Sequence, residues 1–365
     1  MKKRDNKRKT AIAVMGLLLF AALFAALAGV FISWYGVPGD KSSIKNGTVR
    51  GSILSDVPST ITVSEPEPEP VEEMDPEIKK TISEAGTEEL LEDSKEEVRV
   101  DIIVFAGQSN MSGYGGNAEE APAVKEGAGA EFRSVSDPTR LYSVVEPFGI
   151  FENTEIMNDF YMKKGSLVSS FINTWYEETG TPVIAVSASK GGMSSVYWAS
   201  EAASSEVTDR FKRTKEYLEN SGYTVGNQFL VFLQGENDVL ENIPDEQYLT
   251  DINVFSSKLF MSGIDKFLII RIGGEKGKHD AFKRIADLQT ELCRTDPRFV
   301  LVSTLLSGVG DDHMVDKYHY DQAVLNLLGA DAARNGAYFA KTRRDPEIKD
   351  IFTGEDYVPV IYDGI

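Results

Sequence analysis

Residues 98–111 read Val-Arg-Val-Asp-Ile-Ile-Val-Phe-Ala-Gly-Gln-Ser-Asn-Met. Val98 to Phe105 is rich in β-branched and aromatic side chains, is largely apolar, and runs into Ala106-Gly107. A near-continuous apolar strand, rather than an alternating one, is the pattern of a parallel sheet covered on both faces. The chain after it alternates between the two periods. Ser166 to Glu178 has helical spacing in Leu167, Phe171, Trp175 and Tyr176, and Pro182 to Val186 is a short buried-type strand. Val207 to Asn220 reads as a helix, Phe229 to Leu233 as a strand, and Tyr248 to Met261 as a helix. Phe267 to Ile272 is a strand, Ala281 to Cys293 a helix, Phe299 to Leu305 a strand, and Gln322 to Asn335 a closing helix. This order predicts one α/β domain over residues 98–365. Its expected architecture is a three-layer α/β/α sandwich around a doubly wound, mostly parallel sheet of about five strands. Such sheets bind ligands beyond the C-terminal ends of their strands.

The strand ends carry unusual residues. The first ends in Gly107-Gln108-Ser109-Asn110-Met111, the second in Ser187-Ala188-Ser189-Lys190-Gly191-Gly192, and the third in Gln234-Gly235-Glu236-Asn237-Asp238. The last runs toward Asp316-Lys317-Tyr318-His319. Together these ends could build an acyl-transfer site. A serine hydroxyl is a weak nucleophile without a base, and His319 is the best base candidate for Ser109. Asp316, three residues earlier, is spaced to orient the imidazole and fix its tautomer. Donors for the oxyanion would come from the amides of Ser109 and of Gly191 or Gly192, and from the side chain of Gln234 or Asn237. This set needs neither metal nor cofactor, and none is expected. Each signal alone has a plain structural reading: a turn serine, a tight Gly-Gly turn, a helix cap, a chance D-x-x-H. Their order on successive strand ends is what points to a site.

Those four blocks resemble the SGNH-hydrolase superfamily, and within it the sialate O-acetylesterase and carbohydrate esterase family 6 group. Gly107-Gln-Ser-Asn-Met111 resembles the nucleophile block, and Gly191-Gly-Met-Ser-Ser-Val-Tyr-Trp198 its Gly-Gly-Thr-x-x-x-x-Trp block. Gln234-Gly-Glu-Asn-Asp238 resembles Gln-Gly-Glu-Ser-Asp, and Asp316-Lys-Tyr-His319, with Gly329 ten residues later, resembles the D-x-x-H block and its helix. The resemblance covers roughly residues 98–337. Met193 departs from the usual Thr, Leu233 from a frequent His, and Asn237 from Ser; the last makes the block look like the wider superfamily's G-x-N-D. Gln234 and Asn237 therefore both stay open as oxyanion donors. The region from Phe148 to Lys164 has no clear family counterpart.

The resemblance implies a flavodoxin-like SGNH fold. It implies a serine esterase that removes acetyl groups from a carbohydrate such as sialic acid or xylan, with Ser109, Asp316 and His319 catalytic. Gln108, Glu236 and Trp198 are the substrate-binding candidates; Trp198 and Tyr114 either flank a sugar ring or, on the plainer reading of each, pack in the core. Two other readings remain: an O-acetyltransferase, with a sugar hydroxyl as acceptor, and a non-catalytic glycan-binding module. His313, after Asp311 and Asp312, reads as part of a solvated polar loop.

Outward from this domain, residues 38–97 read as an acidic Pro/Glu-rich linker. Glu65-Pro-Glu-Pro-Glu-Pro70 is a self-repelling, polyproline-like run, and residues 56–97 hold 15 acidic side chains against three Lys. Residues 84–97 could form a short solvated helix. Thr10 to Val37 contains no charged residue, which is longer than the ~20 apolar residues that span a bilayer. Trp34 and Tyr35 close it at the interface, and Lys2 to Lys9 supply six basic side chains on the other flank. The expectation is a cytoplasmic segment over residues 1–9, an anchor over residues 10–37 and an extracytoplasmic domain. If Ala26-Leu27-Ala28 is instead a cleavage site, the protein is secreted. The 365 residues carry a formal net charge of -19, from 38 Lys plus Arg and 57 Asp plus Glu. That balance argues against a nucleic-acid partner. A single cysteine, Cys293, excludes an internal disulfide and a Cys-based zinc site, and three histidines leave little for a His-rich metal centre.

Overall fold

A computed structural model describes residues 98–349, 354, 356 and 357. They lie in one of the chain's two units, Glu89–Ile365. The basic segment, the anchor and the linker with its short helix lie outside the described residues. Among the described residues no helix is long and apolar enough to cross a membrane.

The first strand, β1 (Arg99–Gly107), is buried along all but its first residue. It sits at the centre of a seven-stranded sheet, between β4 (Val183–Ser189) and β5 (Thr224–Leu233). Outside β4 lie β2 (Gly129–Phe132) and β3 (Leu141–Tyr142), and outside β5 lie β6 (Lys266–Ile270) and β7 (Phe299–Ser303). Every pairing is parallel except β2 with β3. The sheet thus has seven strands where the sequence suggests about five. The two additions are short, and β2 carries Glu131, a buried carboxylate that accepts from Arg133 at 2.9 Å and breaks the apolar pattern. A separate two-stranded antiparallel piece joins β8 (Ile348–Lys349) to β9 (Asp356–Tyr357).

Helices cover both faces. The short α1 (Ser109–Ser112) follows β1 directly. On one face α2 (Val168–Thr179) packs against α8 (Gln322–Thr342). Gly329 makes that approach possible, because a Cβ there would fall 2.2 Å from the carbonyl oxygen of Leu167. On the other face lie α3 (Ser195–Ala199), α4 (Glu201–Asn220) and α6 (Asp245–Ser262). The remaining helices are α5 (Glu236–Leu240), after β5, and α7 (Lys283–Thr295), before β7. α4 begins six residues earlier than its apolar spacing suggests, because Ser200 caps it by accepting from the Ala203 amide. α8 likewise continues seven residues past Asn335.

One buried charge holds the layers together. Asp101 in β1 is fully buried and accepts from the Trp175 indole of α2 at 3.0 Å and from the amide and side chain of Asn227 in β5 at 2.7 and 3.1 Å. A buried carboxylate with that many donors is tolerated; one without them is not.

The chain winds from β1 to the β4 side and then crosses to β5, so the order reverses at β1. A ligand site is expected in the crevice at that switch point. Gly107 closes β1 there with φ +138°, and a Cβ would fall 2.1 Å from the Leu233 carbonyl oxygen. Gly107→Ala should therefore destabilise the domain by about 3 kcal/mol, roughly 6–12 °C in thermal unfolding. A wild-type midpoint would mean that β1 and β5 do not approach this closely.

Candidate active site

The Gly107–Gln108 peptide joins three strand ends. The Gly107 carbonyl accepts from the Lys190 amide after β4 at 2.8 Å, and the Gln108 amide donates to Leu233 of β5 at 2.9 Å. The chain then turns at once into α1, so Ser109 stands at its first position. The hydroxyl of Ser109 lies 2.7 Å from Nε2 of His319. Nδ1 of His319 lies 2.8 Å from each oxygen of Asp316. The structure brings Ser109, His319 and Asp316 into one hydrogen-bonded line, although 207 positions separate the serine from Asp316.

Asp316 and His319 share a closed loop. The Val315 amide donates to the His319 carbonyl at 2.9 Å, and the Asp321 amide to the His313 carbonyl at 2.9 Å. Asp316 Oδ1 also accepts from the amides of Tyr318 and His319, at 2.8 and 2.9 Å. Partial burial acts to raise the Asp316 carboxyl, but bonding from the His319 ring and the two amides outweighs it and holds the pKa at about 2. Asp316 is therefore an anion near neutral pH. His313 is elsewhere: its Nδ1 pairs with Asp321 at 2.9 Å, and Asp321 also caps α8. Among the described residues no three His, Cys, Asp or Glu side chains are grouped to hold a metal ion.

The five oxyanion candidates do not stand equally. The amides of Ser109 and Gly192 have no protein acceptor among the described residues. Gly191 is different, because its amide donates to Oδ1 of Asp159 at 2.9 Å and so is occupied. Asn237 gives one amide proton to the Gly192 carbonyl at 3.0 Å and keeps the other. Gln234 is fully buried, with Nε2 donating to Asp238, which also takes the Ser195 amide at 3.0 Å. Its side chain braces the turn through Asp238 and the Met193 carbonyl. Of the two side chains that the sequence leaves open, Asn237 keeps an N–H with no partner among the described residues, whereas Gln234 Nε2 and the Gly191 amide are already engaged.

The substrate-binding candidates need correction. Trp198 is 0 % exposed and packs on Phe232 and Phe255 at 5.7 and 5.5 Å, so it cannot flank a sugar. Gln108 and Glu236 are buried, 2 % and 3 % exposed. Glu236 accepts from the Asn110 amide at 2.8 Å, and the same nitrogen reaches the Tyr318 carbonyl at 3.2 Å. Burial pushes the Glu236 carboxyl up, more than the Asn110 bond pulls it down. One asparagine side chain thus ties the nucleophile block to the block after β5 and to the histidine loop. Tyr114 does reach the site, with its ring edge-on to His319 at 4.7 Å and Lys164 Nζ 4.0 Å above it.

Asp159 is the residue that sequence reading missed. Besides the Gly191 amide it bonds the Ser112 hydroxyl of α1. Burial acts to raise its carboxyl despite those bonds and the nearby Lys163, whose own ammonium burial lowers to about 8.

The profile of the family described as carbohydrate esterase, sialic acid-specific acetylesterase, matches residues 99–337. No curated protein matches the chain. Similar solved structures include a protein from Arabidopsis thaliana at 18% identity and a TM-score of 0.48, covering 64% of this chain and 96% of its own. NanS is similar at 11% identity and 0.46, over 68% of this chain and 99% of its own. A carbohydrate acetylesterase from Xanthomonas citri is similar at 14% identity and 0.40, over 65% of this chain and 57% of its own.

The two amide side chains can be separated by experiment. Asn237→Ala should lower kcat roughly 10²–10³-fold with little change in unfolding temperature, as loss of one oxyanion donor does. Gln234→Ala should instead lower the unfolding temperature, by leaving Asp238 short of a buried donor. The reverse pattern would return the oxyanion role to Gln234.

Proposed function

The chain belongs to the carbohydrate esterase family of sialic acid-specific acetylesterases, and from that premise we propose that it hydrolyses O-acetyl groups on carbohydrate through an acyl-enzyme on Ser109. The single observation that carries the mechanism is the line from Ser109 Oγ to His319 at 2.7 Å and on to Asp316 at 2.8 Å.

In this mechanism Ser109 Oγ attacks the ester carbonyl carbon while His319 Nε2 takes the hydroxyl proton. Asp316, already anionic, stabilises the imidazolium that forms. The carbonyl oxygen becomes an oxyanion, and the amides of Ser109 and Gly192 with the free N–H of Asn237 are the donors for it. The bond to the sugar oxygen then breaks as His319 returns the proton to that oxygen. The deacetylated sugar leaves and Ser109 carries the acetyl group. Water gives a proton to His319 and attacks the acyl carbon. Collapse releases acetate, and His319 restores the Ser109 hydroxyl.

The purified protein should release acetate from an O-acetylated xylo-oligosaccharide or from O-acetylated N-acetylneuraminic acid without an added acceptor. An organophosphonate should block that release and leave its adduct on Ser109, read by mass spectrometry. Acetate transfer only when an acceptor sugar is present would replace the esterase with a transferase. An adduct confined to another serine, with activity lost, would end the Ser109 assignment.

The location rests on the amino terminus. Six basic side chains in Lys2 to Lys9 precede the uncharged run from Thr10 to Val37, which supports an anchor with its basic end inside and the esterase outside. Protease added to intact cells should cut within residues 38–97 and release an active fragment. Cleavage only after lysis would place the domain inside, given a cell without an outer barrier.

A further inference from the structure

The acyl chemistry leaves one ordered feature unused. Between β3 and α2 the chain runs through residues 143–167 with only one turn of 3₁₀ helix, Phe160–Met162. A long connection without regular structure is either functional or loose. This one is tied down by carboxylates that accept several donors each. Glu152 accepts from the amides of Val135 and Ser136 at 2.9 and 3.0 Å, and Glu146 from those of Phe148 and Ser166 at 2.9 Å. Asp159, directly before the turn, holds the Gly191 amide and the Ser112 hydroxyl.

The turn therefore has a fixed place beside the catalytic residues. On one side Met162 lies against the oxyanion loop, since a Cβ on Gly191 would fall 2.8 Å from Met162 Cε. On the other side the segment runs along α1, where a Cβ on Gly113 would fall 1.7 Å from the Gly165 carbonyl oxygen. Farther out, the Tyr197 hydroxyl of α3 donates to the Ile156 carbonyl at 2.8 Å. From this held turn two aromatic side chains stand in solvent. Phe160 is 51 % exposed and Tyr161 86 %, with their rings edge to face at 5.4 Å. Ile156 of the same segment is also exposed.

Exposed aromatic residues grouped on a rigid loop mark a binding surface. The face of a pyranose ring is a patch of C–H groups with slight positive charge, which packs on the negative face of an aromatic ring. The acyl site itself takes the acetyl group and the sugar that bears it. Phe160 and Tyr161 stand on the same turn as Met162, which lies against Gly191. We propose that Phe160 and Tyr161 form a platform for a sugar next to the acetylated one, so that the substrate is an oligo- or polysaccharide and not a free acetylated monosaccharide. This inference rests on the carbohydrate-esterase reading above.

The test compares acetylated chains with their acetylated monosaccharides: xylotetraose with xylose, and sialyllactose with N-acetylneuraminic acid. In the wild-type protein kcat/KM should favour the chain in at least one pair. Phe160→Ala and Tyr161→Ala should each reduce that preference about tenfold, mainly through KM, while Tyr161→Trp keeps it. Met261→Ala, which removes an exposed apolar side chain from α6, should leave the preference at its wild-type value. Calorimetry with the deacetylated chain gives an independent readout, and its affinity should fall in the same two variants. A wild-type preference for the monosaccharide in both pairs overturns the platform, and so does an unchanged preference in both alanine variants. If no acetate is released but the deacetylated chain binds and both variants lose it, the platform stands and the esterase reading falls.

Discussion

The peptide between Gly107 and Gln108 is the constraint on which the rest depends. Its carbonyl is bonded to the loop after β4 and its amide to the end of β5. Three strand ends are thereby fixed to one another within a single peptide unit, and each carries a different part of the candidate site. The close approach to Leu233 requires the missing side chain at position 107, and the positive φ there turns the chain from strand into α1. Ser109 follows too soon for its position to be set by anything else. A nucleophile placed in this way costs no ordering at the moment of reaction, which is where positioned groups gain their advantage.

A second tie closes the arrangement from below. The histidine loop lies more than 200 positions from Ser109 in the chain and belongs to no strand. Asn110 holds it by reaching the Tyr318 carbonyl while its amide also binds Glu236. Buried polar networks are worthwhile only when geometry must be specified, because apolar packing would be as stable. Here the specified quantity is the distance between a hydroxyl and an imidazole contributed by opposite ends of the domain. Asp321 serves the same end from the other side, capping α8 with its carboxylate while its amide closes the loop on His313.

What was legible in the sequence follows from how local each signal is. The five long parallel strands announced themselves through continuous apolar runs, and Asp316-x-x-His319 carried its spacing within one loop. β2 and β3 did not, because a four-residue strand containing a buried Glu and a two-residue strand have no period to read. Which of the candidate donors are free was only half legible. Gly191 and Gly192 are alike in sequence, and only the presence of Asp159, 32 positions away, decides which amide is free. Gln234 and Asn237 are both amides on one turn, and only Asp238 and Ser195 decide which of them is turned inward. For Trp198 the sequence leaves a ligand surface and plain packing both open, because only Phe232 and Phe255, distant in the chain, claim it for the core.

The division of labour between strand ends and the connection before α2 bears on how such a site can change substrate. The serine, histidine, aspartate and candidate oxyanion donors are set by β1, β4, β5 and the loop before α8, so the proposed chemistry rests on those elements. The segment of residues 143–167 touches those elements through Asp159 and Met162, through Lys164 over Tyr114 and through Gly165 against Gly113. Its other anchors, Glu146 and Glu152, bind amides of its own surroundings. Side chains such as Phe160 and Tyr161 can therefore be exchanged without moving Ser109, provided that Asp159 continues to hold the Gly191 amide. Fixing the segment with hydrogen-bonded carboxylates also means that a ligand resting on it has little loop to order, so more of the contact energy appears as affinity. Rigid loops of this kind let substrate choice vary on a constant catalytic frame.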